Sequence, residues 1–196
     1  PAPAARATEV AIVLLEQGRV VDRFQSLMNP GVSIPNDIQA LTGITNEMVR
    51  KAPKVEVVIL DAVQFVGTHP IVAHNAAFDS KFWDAELRRI NGRRKQEFAC
   101  SVLLARRIFP DAPNHKLGTL VRRLGLPATG RYHRALADAE VQAGALADFP
   151  FGPHLAAVAA HDAGDGGEPD PGARKLPVGM QALEGAEEVL LVAHVE

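Results

Sequence analysis

Hydrophobic positions fall into two kinds of run along this chain. In "TEVAIVLLEQGRVVDRFQSLMNP" every position from Val10 to Leu15 is apolar. A strand with one wet face alternates, so an unbroken run predicts a central strand covered on both sides. Glu16-Gln17-Gly18-Arg19 supplies a turn, with Gly18 able to take a positive φ. Val20 to Met28 then returns as a second strand. "IPNDIQALTGITNEMVRKAP" predicts helix or turn, with Gly43 as a breaker and Thr45 as an N-cap. "KVEVVILDAVQFVGT" is ambiguous: its β-branched residues favour a strand, whereas Ile59, Ala62, Val63 and Val66 keep helical spacing. Helix is the reading adopted. "PIVAHN" predicts a short buried strand that runs into a helix over "AAFDSKFWDAELRRI".

Further on, Leu117, Leu120, Val121 and Leu124 stand at i, i+3, i+4 and i+7. That spacing predicts an amphipathic helix, stopped by Gly125 and Pro127. "RYHRALADAEVQAGALADF" predicts a second, alanine-rich helix. Strands alternating with helices imply an α/β domain with a mixed sheet, spanning 7–158. Gly, Pro and Asp then dominate 161–179, and a flexible linker is expected over 159–179. The segment 180–196, "MQALEGAEEVLLVAHVE", brings one more apolar strand.

Composition narrows the class. The 196 residues, 47% of them hydrophobic, suffice for one domain with a sizeable core, or one domain plus a tail. A net charge of −2 excludes a global basic field for nonspecific nucleic-acid binding and leaves a local basic surface open. Cys100 is the only cysteine, which excludes an internal disulfide framework and a Cys-based zinc site and fits a reducing, cytoplasmic setting. No run approaches the ~18–20 apolar residues of a membrane span, and the N-terminus has no signal-peptide pattern. No membrane partner is expected. Pro1 in place of Met is expected of a start other than the natural one.

Three residues carry candidate chemistry. Asp79, in "VAHNAAFD", falls in a first helical turn just after a strand, the junction where α/β folds build sites. His133 and Asp138 lie in "HRALAD". Five residues are ~500° of helix rotation, so the two share no face if both are helical. They converge if His133 sits on the loop before the helix and Asp138 inside it. Taken singly, such an Asp is usually a dipole-compensating or capping residue, and such a His a surface or capping one. The case rests on the combination.

"VAHNAAFD", "LTGIT", "HKLGTL" and "HRALAD" together resemble the DnaQ-like, DEDDh-type 3′→5′ exonucleases, the family of the proofreading subunit of bacterial DNA polymerase III. The resemblance covers roughly residues 7–149. The sibling branch has Tyr four residues before the final Asp, where this chain has Arg134, so the histidine branch is the better match. The resemblance implies a ribonuclease-H-like fold, with a mixed, mainly five-stranded sheet and helices on both faces. It also implies a site for two Mg²⁺ or Mn²⁺ ions, with Asp79 and Asp138 as metal ligands and His133 as general base on water. Gly43, Ile44 and Thr45 resemble the loop that meets the terminal nucleotide. His74 and Asn75 match the family's "HN", with Asn75 able to cap the helix; Phe78 is expected in the core. The implied substrate is the 3′ end of a single-stranded or frayed nucleic acid, and a DNA polymerase is an implied partner. DNA is favoured over RNA only by similarity to the proofreading subunit.

The family's first motif, a strand ending Asp-x-Glu-Thr-Thr-Gly, should precede "TEVAIVLLE" but is not there. The segment 180–196 resembles that strand and is expected to complete the same sheet in permuted position, which makes Glu196 a metal-binding carboxylate and puts His194, another candidate metal ligand, where the family has Asp. Three explanations stay open: a permuted order, the start of a second similar domain, or an unrelated tail strand. An imidazole can ligate a metal but supplies no negative charge and cannot bridge two hard cations. His194 therefore favours the alternative of a catalytically impaired domain that binds nucleic acid or a partner. Arg88, Arg89, Arg93, Arg94 and Lys95, with Arg106, Arg107, Arg122 and Arg123, are expected mostly on solvated helix faces, some lining a groove for phosphates. Tyr132 is a candidate for base stacking.

Overall fold

Residues 6–16, 19–126 and 134–148, with the backbone of 190–195, are described by the structure, a computed structural model of the chain. The unbroken apolar run forms β1, Glu9–Glu16, and β2 follows over Arg19–Leu27, antiparallel from Glu9↔Leu27 to Glu16↔Arg19. A register shift between Leu14 and Leu15 leaves Val21 unmatched. The expected Gly18 turn lies outside the described residues. As the pattern predicts, β1 is covered on both faces. Val10 and Ile12 enter one core with Val58, Ile59, Phe82 and Trp83, while Val13 and Leu15 enter another with Leu104, Ala139 and Leu146.

A run of helices follows β2 along the chain. α1 (Asn36–Thr42) ends at Gly43, whose φ of 75° is the left-handed conformation a helix stop uses. α2 (Asn46–Arg50) starts at Thr45, whose side chain accepts the Met48 N–H as the sequence predicts. α3 spans Val55–Val66 and resolves the ambiguous run as a helix. Val55, Val58, Ile59, Ala62 and Val66 form its buried stripe. Helix propensities differ by at most ~0.7 kcal/mol per ordinary residue. Burying one Val or Ile is worth ~1.5–3 kcal/mol, so packing outweighs β-branching here.

β3 (Ile71–Ala73) leads into α4 (Ala76–Arg89), which places fully buried Trp83 in the first core. β4 (Phe98–Cys100) and α5 (Ser101–Ile108) follow, and neither is legible in the pattern. Three residues are too short for a period, and the position before α5, Cys100, offers no capping side chain. α6 (Leu117–Leu124) stops at left-handed Gly125, as expected, and α7 spans Ala135–Asp148. Pro127 and the linker 159–179 lie outside the described residues. No described helix is long and apolar enough to cross a membrane.

The last strand, β5 (Leu190–Val195), occupies the centre of the five-stranded sheet, in the order β2-β1-β5-β3-β4. It runs antiparallel to β1, Val10↔Val195 to Leu15↔Leu190, and parallel to β3, with Val72↔Val192. β3 and β4 are also parallel. The first core puts α3 and α4 on one face, and the second puts α5 and α7 on the other.

Candidate active site

Strand directions fix one end of the sheet as the meeting point. β5 runs parallel to β3 and extends past it, so its C-terminal end lies beside the His74-Asn75 link that starts α4. The antiparallel partner β1 begins at that same end, since Val10 pairs with Val195. Glu9, the first residue of β1, accepts a hydrogen bond from the backbone N–H of Ala135, the first residue of α7. The N-terminal turns of α4 and α7, carrying Asp79 and Asp138, thus stand at one end of the sheet, outside the carboxyl ends of parallel strands. Both helices pack against β5.

Asp79 is fully buried and Asp138 nearly so. The route to Asp79 is held by a buried polar network. His74 Nε2 lies 2.9 Å from the carbonyl of His115, which can only accept, so this nitrogen carries the proton. In the neutral ring, Nδ1 then accepts from the hydroxyl of Ser101 at 3.0 Å. Gln142 Nε2, one turn beyond Asp138, donates to the same hydroxyl oxygen at 3.1 Å. One hydroxyl therefore ties the start of α4 to α7. Both ring nitrogens of His74 are thus engaged inside the protein. Asn75 takes φ 72°, a left-handed conformation Asn tolerates better than most residues. In it the Asn75 side chain makes no cap hydrogen bond, contrary to the expectation from sequence; a side-chain cap needs extended backbone at that position. Phe78 also departs from expectation: it is 47% exposed rather than in the core, its ring 5.0 Å from that of Phe82. At the third position of α4 it falls outside the buried stripe of Ala76, Asp79, Phe82 and Trp83.

The start of α7 is held from the sheet. Glu9, fully buried, accepts from Arg134 Nε at 3.0 Å, Arg134 Nη2 at 2.8 Å, Ala135 N–H at 3.0 Å and Gln25 Nε2 at 2.9 Å. Burial pushes its carboxyl up, but these bonds outweigh it and hold the group below its ordinary range. The position where the sibling branch has Tyr is thus committed to an ion pair. Sequence reasoning missed this pair. Its signal is a carboxylate directly before a run of six apolar residues that is covered on both faces, where a buried charge calls for a cationic partner.

In the loop at 43–45, Ile44 is fully buried with Ile34 and Val49, and its N–H bonds Thr42 Oγ1, so its side chain faces inward. Thr45 is exposed at the N-cap of α2. His133 precedes α7 in sequence but, with Tyr132 and Glu196, lies outside the described residues; His194 pairs with Ala11 in β5, and its side chain is also outside them. Several of the basic residues are engaged internally: Arg89 with Glu86, Arg94 with Asp84, Arg123 with Asp111. Two buried carboxylates are hard oxygen donors that suit Mg²⁺ or Mn²⁺ better than softer metals. Among the described residues no third His, Cys, Asp or Glu completes a metal-holding group.

A mixed sheet in this order, with helices on both faces and buried carboxylates at one end, defines a ribonuclease-H-like fold. A family model described as "Exonuclease" matches residues 2–146. The DNA polymerase III subunit epsilon of Aquifex aeolicus is 34% identical over 136 residues, 69% of this chain and 67% of that protein. The PolC-type DNA polymerase III of Oceanobacillus iheyensis is 39% identical over 133 residues, 67% of this chain but 9% of that much longer protein. Among solved structures, exonuclease X in complex with 5′-overhanging duplex DNA superposes with a TM-score of 0.60 at 30% identity, covering 73% of this chain and 82% of that one. The nuclease domain of 3′hExo, a DEDDh family member bound to rAMP, shares the fold with a TM-score of 0.61 at 22% identity, covering 71% of this chain and 78% of that one. The chain belongs to the DnaQ-like 3′→5′ exonuclease family.

Proposed function

We propose that the protein is a divalent-metal-dependent exonuclease. It hydrolyses phosphodiesters at the 3′ ends of single-stranded or frayed DNA and releases 5′-mononucleotides. The observation that carries this reading is the pair of buried carboxylates, Asp79 and Asp138, at the N-terminal turns of two helices beside one sheet end. Asp79 and Asp138, with Glu196, would hold two Mg²⁺ or Mn²⁺ ions. When bound, such ions activate water and stabilise the departing 3′ oxygen. His133 takes the proton from that water. The loop at Gly43–Thr45 meets the terminal nucleotide, and the half-exposed ring of Phe78 offers a face to a base. Likeness to the epsilon subunit supports DNA over RNA and a DNA polymerase as partner.

Position 194 supports a second reading. His stands where the family has Asp, and one lost negative charge weakens hold on two hard cations. On that reading the domain binds nucleic acid without turnover.

The test is release of mononucleotides from a 5′-labelled single-stranded oligonucleotide with Mg²⁺, Mn²⁺ or chelator, beside Asp138→Asn. Shortening from the 3′ end that needs metal and falls at least about a hundredfold in the variant is expected. Folded wild-type protein that shortens nothing in any metal sinks the first reading in favour of the second.

A further inference from the structure

Buried ion pairs contribute little net stability, because desolvation offsets their attraction. The pair of Glu9 with Arg134 therefore invites the question of what it positions. We infer that Glu9 is a positioning residue for the catalytic end of α7: its carboxylate, gripping Arg134 and Ala135, sets where Asp138 stands. The inference rests on the proposed function for the role of Asp138.

Both carboxylate oxygens are doubly used. Oε2 accepts from Arg134 Nε and from the Ala135 N–H, and Oε1 accepts from Arg134 Nη2 and Gln25 Nε2. A forked guanidinium–carboxylate contact fixes direction as well as distance, and an anion at a helix N-terminus also meets the favourable end of the helix dipole. The grip falls where it matters. The carbonyl of Arg134 accepts the N–H of Asp138 at 3.0 Å, one helical turn on. Farther along, α7 meets the sheet through Ala139, Ala143 and Leu146. Apolar contact is non-directional, and two of these side chains are too small to interlock deeply. The directional contacts that fix α7 are therefore the polar clamp at its start and the bond of Gln142 Nε2 to Ser101 Oγ one turn beyond Asp138, and the first turn depends on the clamp. Arg23 adds a second ion pair to α7, with Glu140 at 2.6 Å, but it is exposed and weakly constraining.

The experiment compares the full wild-type chain with Glu9→Gln and with the double variant Glu9→Leu/Arg134→Met. The double variant replaces the pair by apolar groups and avoids leaving the half-buried Arg134 without its partner. Three quantities are read: the urea unfolding midpoint, kcat and KM on the labelled oligonucleotide at saturating Mn²⁺, and amide exchange along α7. The double variant still leaves the Ala135 N–H without its acceptor, so its midpoint is expected to fall modestly while the transition stays cooperative and the protein is folded under assay conditions. Its kcat should fall about 10–100-fold, the cost typical of a misplaced catalytic group, with KM within about twofold. Exchange at Ala135 and Asp138 should rise at least about tenfold while that at Val141–Leu146 stays unchanged. A double variant with wild-type kcat, or unchanged exchange at Ala135 and Asp138, overturns the inference. An inactive wild type sinks the proposed function instead, and the exchange data still decide whether Glu9 fixes the start of α7.

Discussion

Ser101→Ala removes one oxygen from the network beneath the candidate site. That oxygen accepts from Gln142 Nε2 at 3.1 Å and its proton goes to His74 Nδ1 at 3.0 Å; Ser101 is 5% exposed and Gln142 2%. Two buried hydrogen bonds are worth a net ~1 kcal/mol each, and an orphaned buried donor costs a further ~1–3 kcal/mol. The change deletes little volume, so no large cavity term adds to it. The expected destabilisation is about 3–5 kcal/mol, a large share of a typical ~5–15 kcal/mol. At ~2–4 °C per kcal/mol for a chain of this size, Tm falls by roughly 6–20 °C. Urea unfolding with a constant m-value measures it. Gln142→Leu sharpens the test: in the double variant Ser101→Ala/Gln142→Leu the orphaned amide is gone, so the combined cost should fall short of the sum of the single costs by at least ~1 kcal/mol. A Ser101→Ala cost below ~0.5 kcal/mol, or strict additivity, would show that the hydroxyl ties nothing together.

Two further outcomes follow from the same geometry. Glu9 is held below its ordinary carboxyl value of 4.5 although burial pushes the other way. A lowered folded-state pKa means the pair's stabilisation is full above the unfolded value and is lost as pH falls through the folded one. Wild type should therefore lose stability between about pH 5 and pH 3 more steeply than Glu9→Gln, and parallel unfolding midpoints across that window would contradict the linkage. Phe78 is half exposed beside buried Asp79, so Phe78→Ala should raise KM for a single-stranded oligonucleotide about 5–150-fold, the worth of one stacked base at ~1–3 kcal/mol. Its unfolding midpoint should barely move; an unchanged KM would remove Phe78 from the substrate path.

Much of the fold is legible in local pattern because burial imposes a period. The unbroken apolar run of β1 announces two covered faces, and the cores on either side of it bear that out. Gly43, Thr45 and Gly125 mark helix ends because backbone φ and orphaned N–H groups are local problems with local solutions. β4 and α5 are invisible because they are short, and their existence depends on a partner strand supplied by β3. Phe78 and Asn75 were misplaced for a related reason: residue type suggests core and cap, but helix phase and a left-handed φ decide where each side chain goes.

The sequence by itself determined the family motifs, the two carboxylates at helix starts and the surrounding alternation of strands and helices. Only the tertiary structure decided that β5, from the far end of the chain, sits between β1 and β3. It alone also paired Glu9 with Arg134 and joined His74 to Gln142 through Ser101. Sequence pattern records what each segment buries. It does not record which distant segment does the burying, because hydrophobic contact is indifferent to order along the chain, and polar pairing becomes specific only once the sheet has set direction and register.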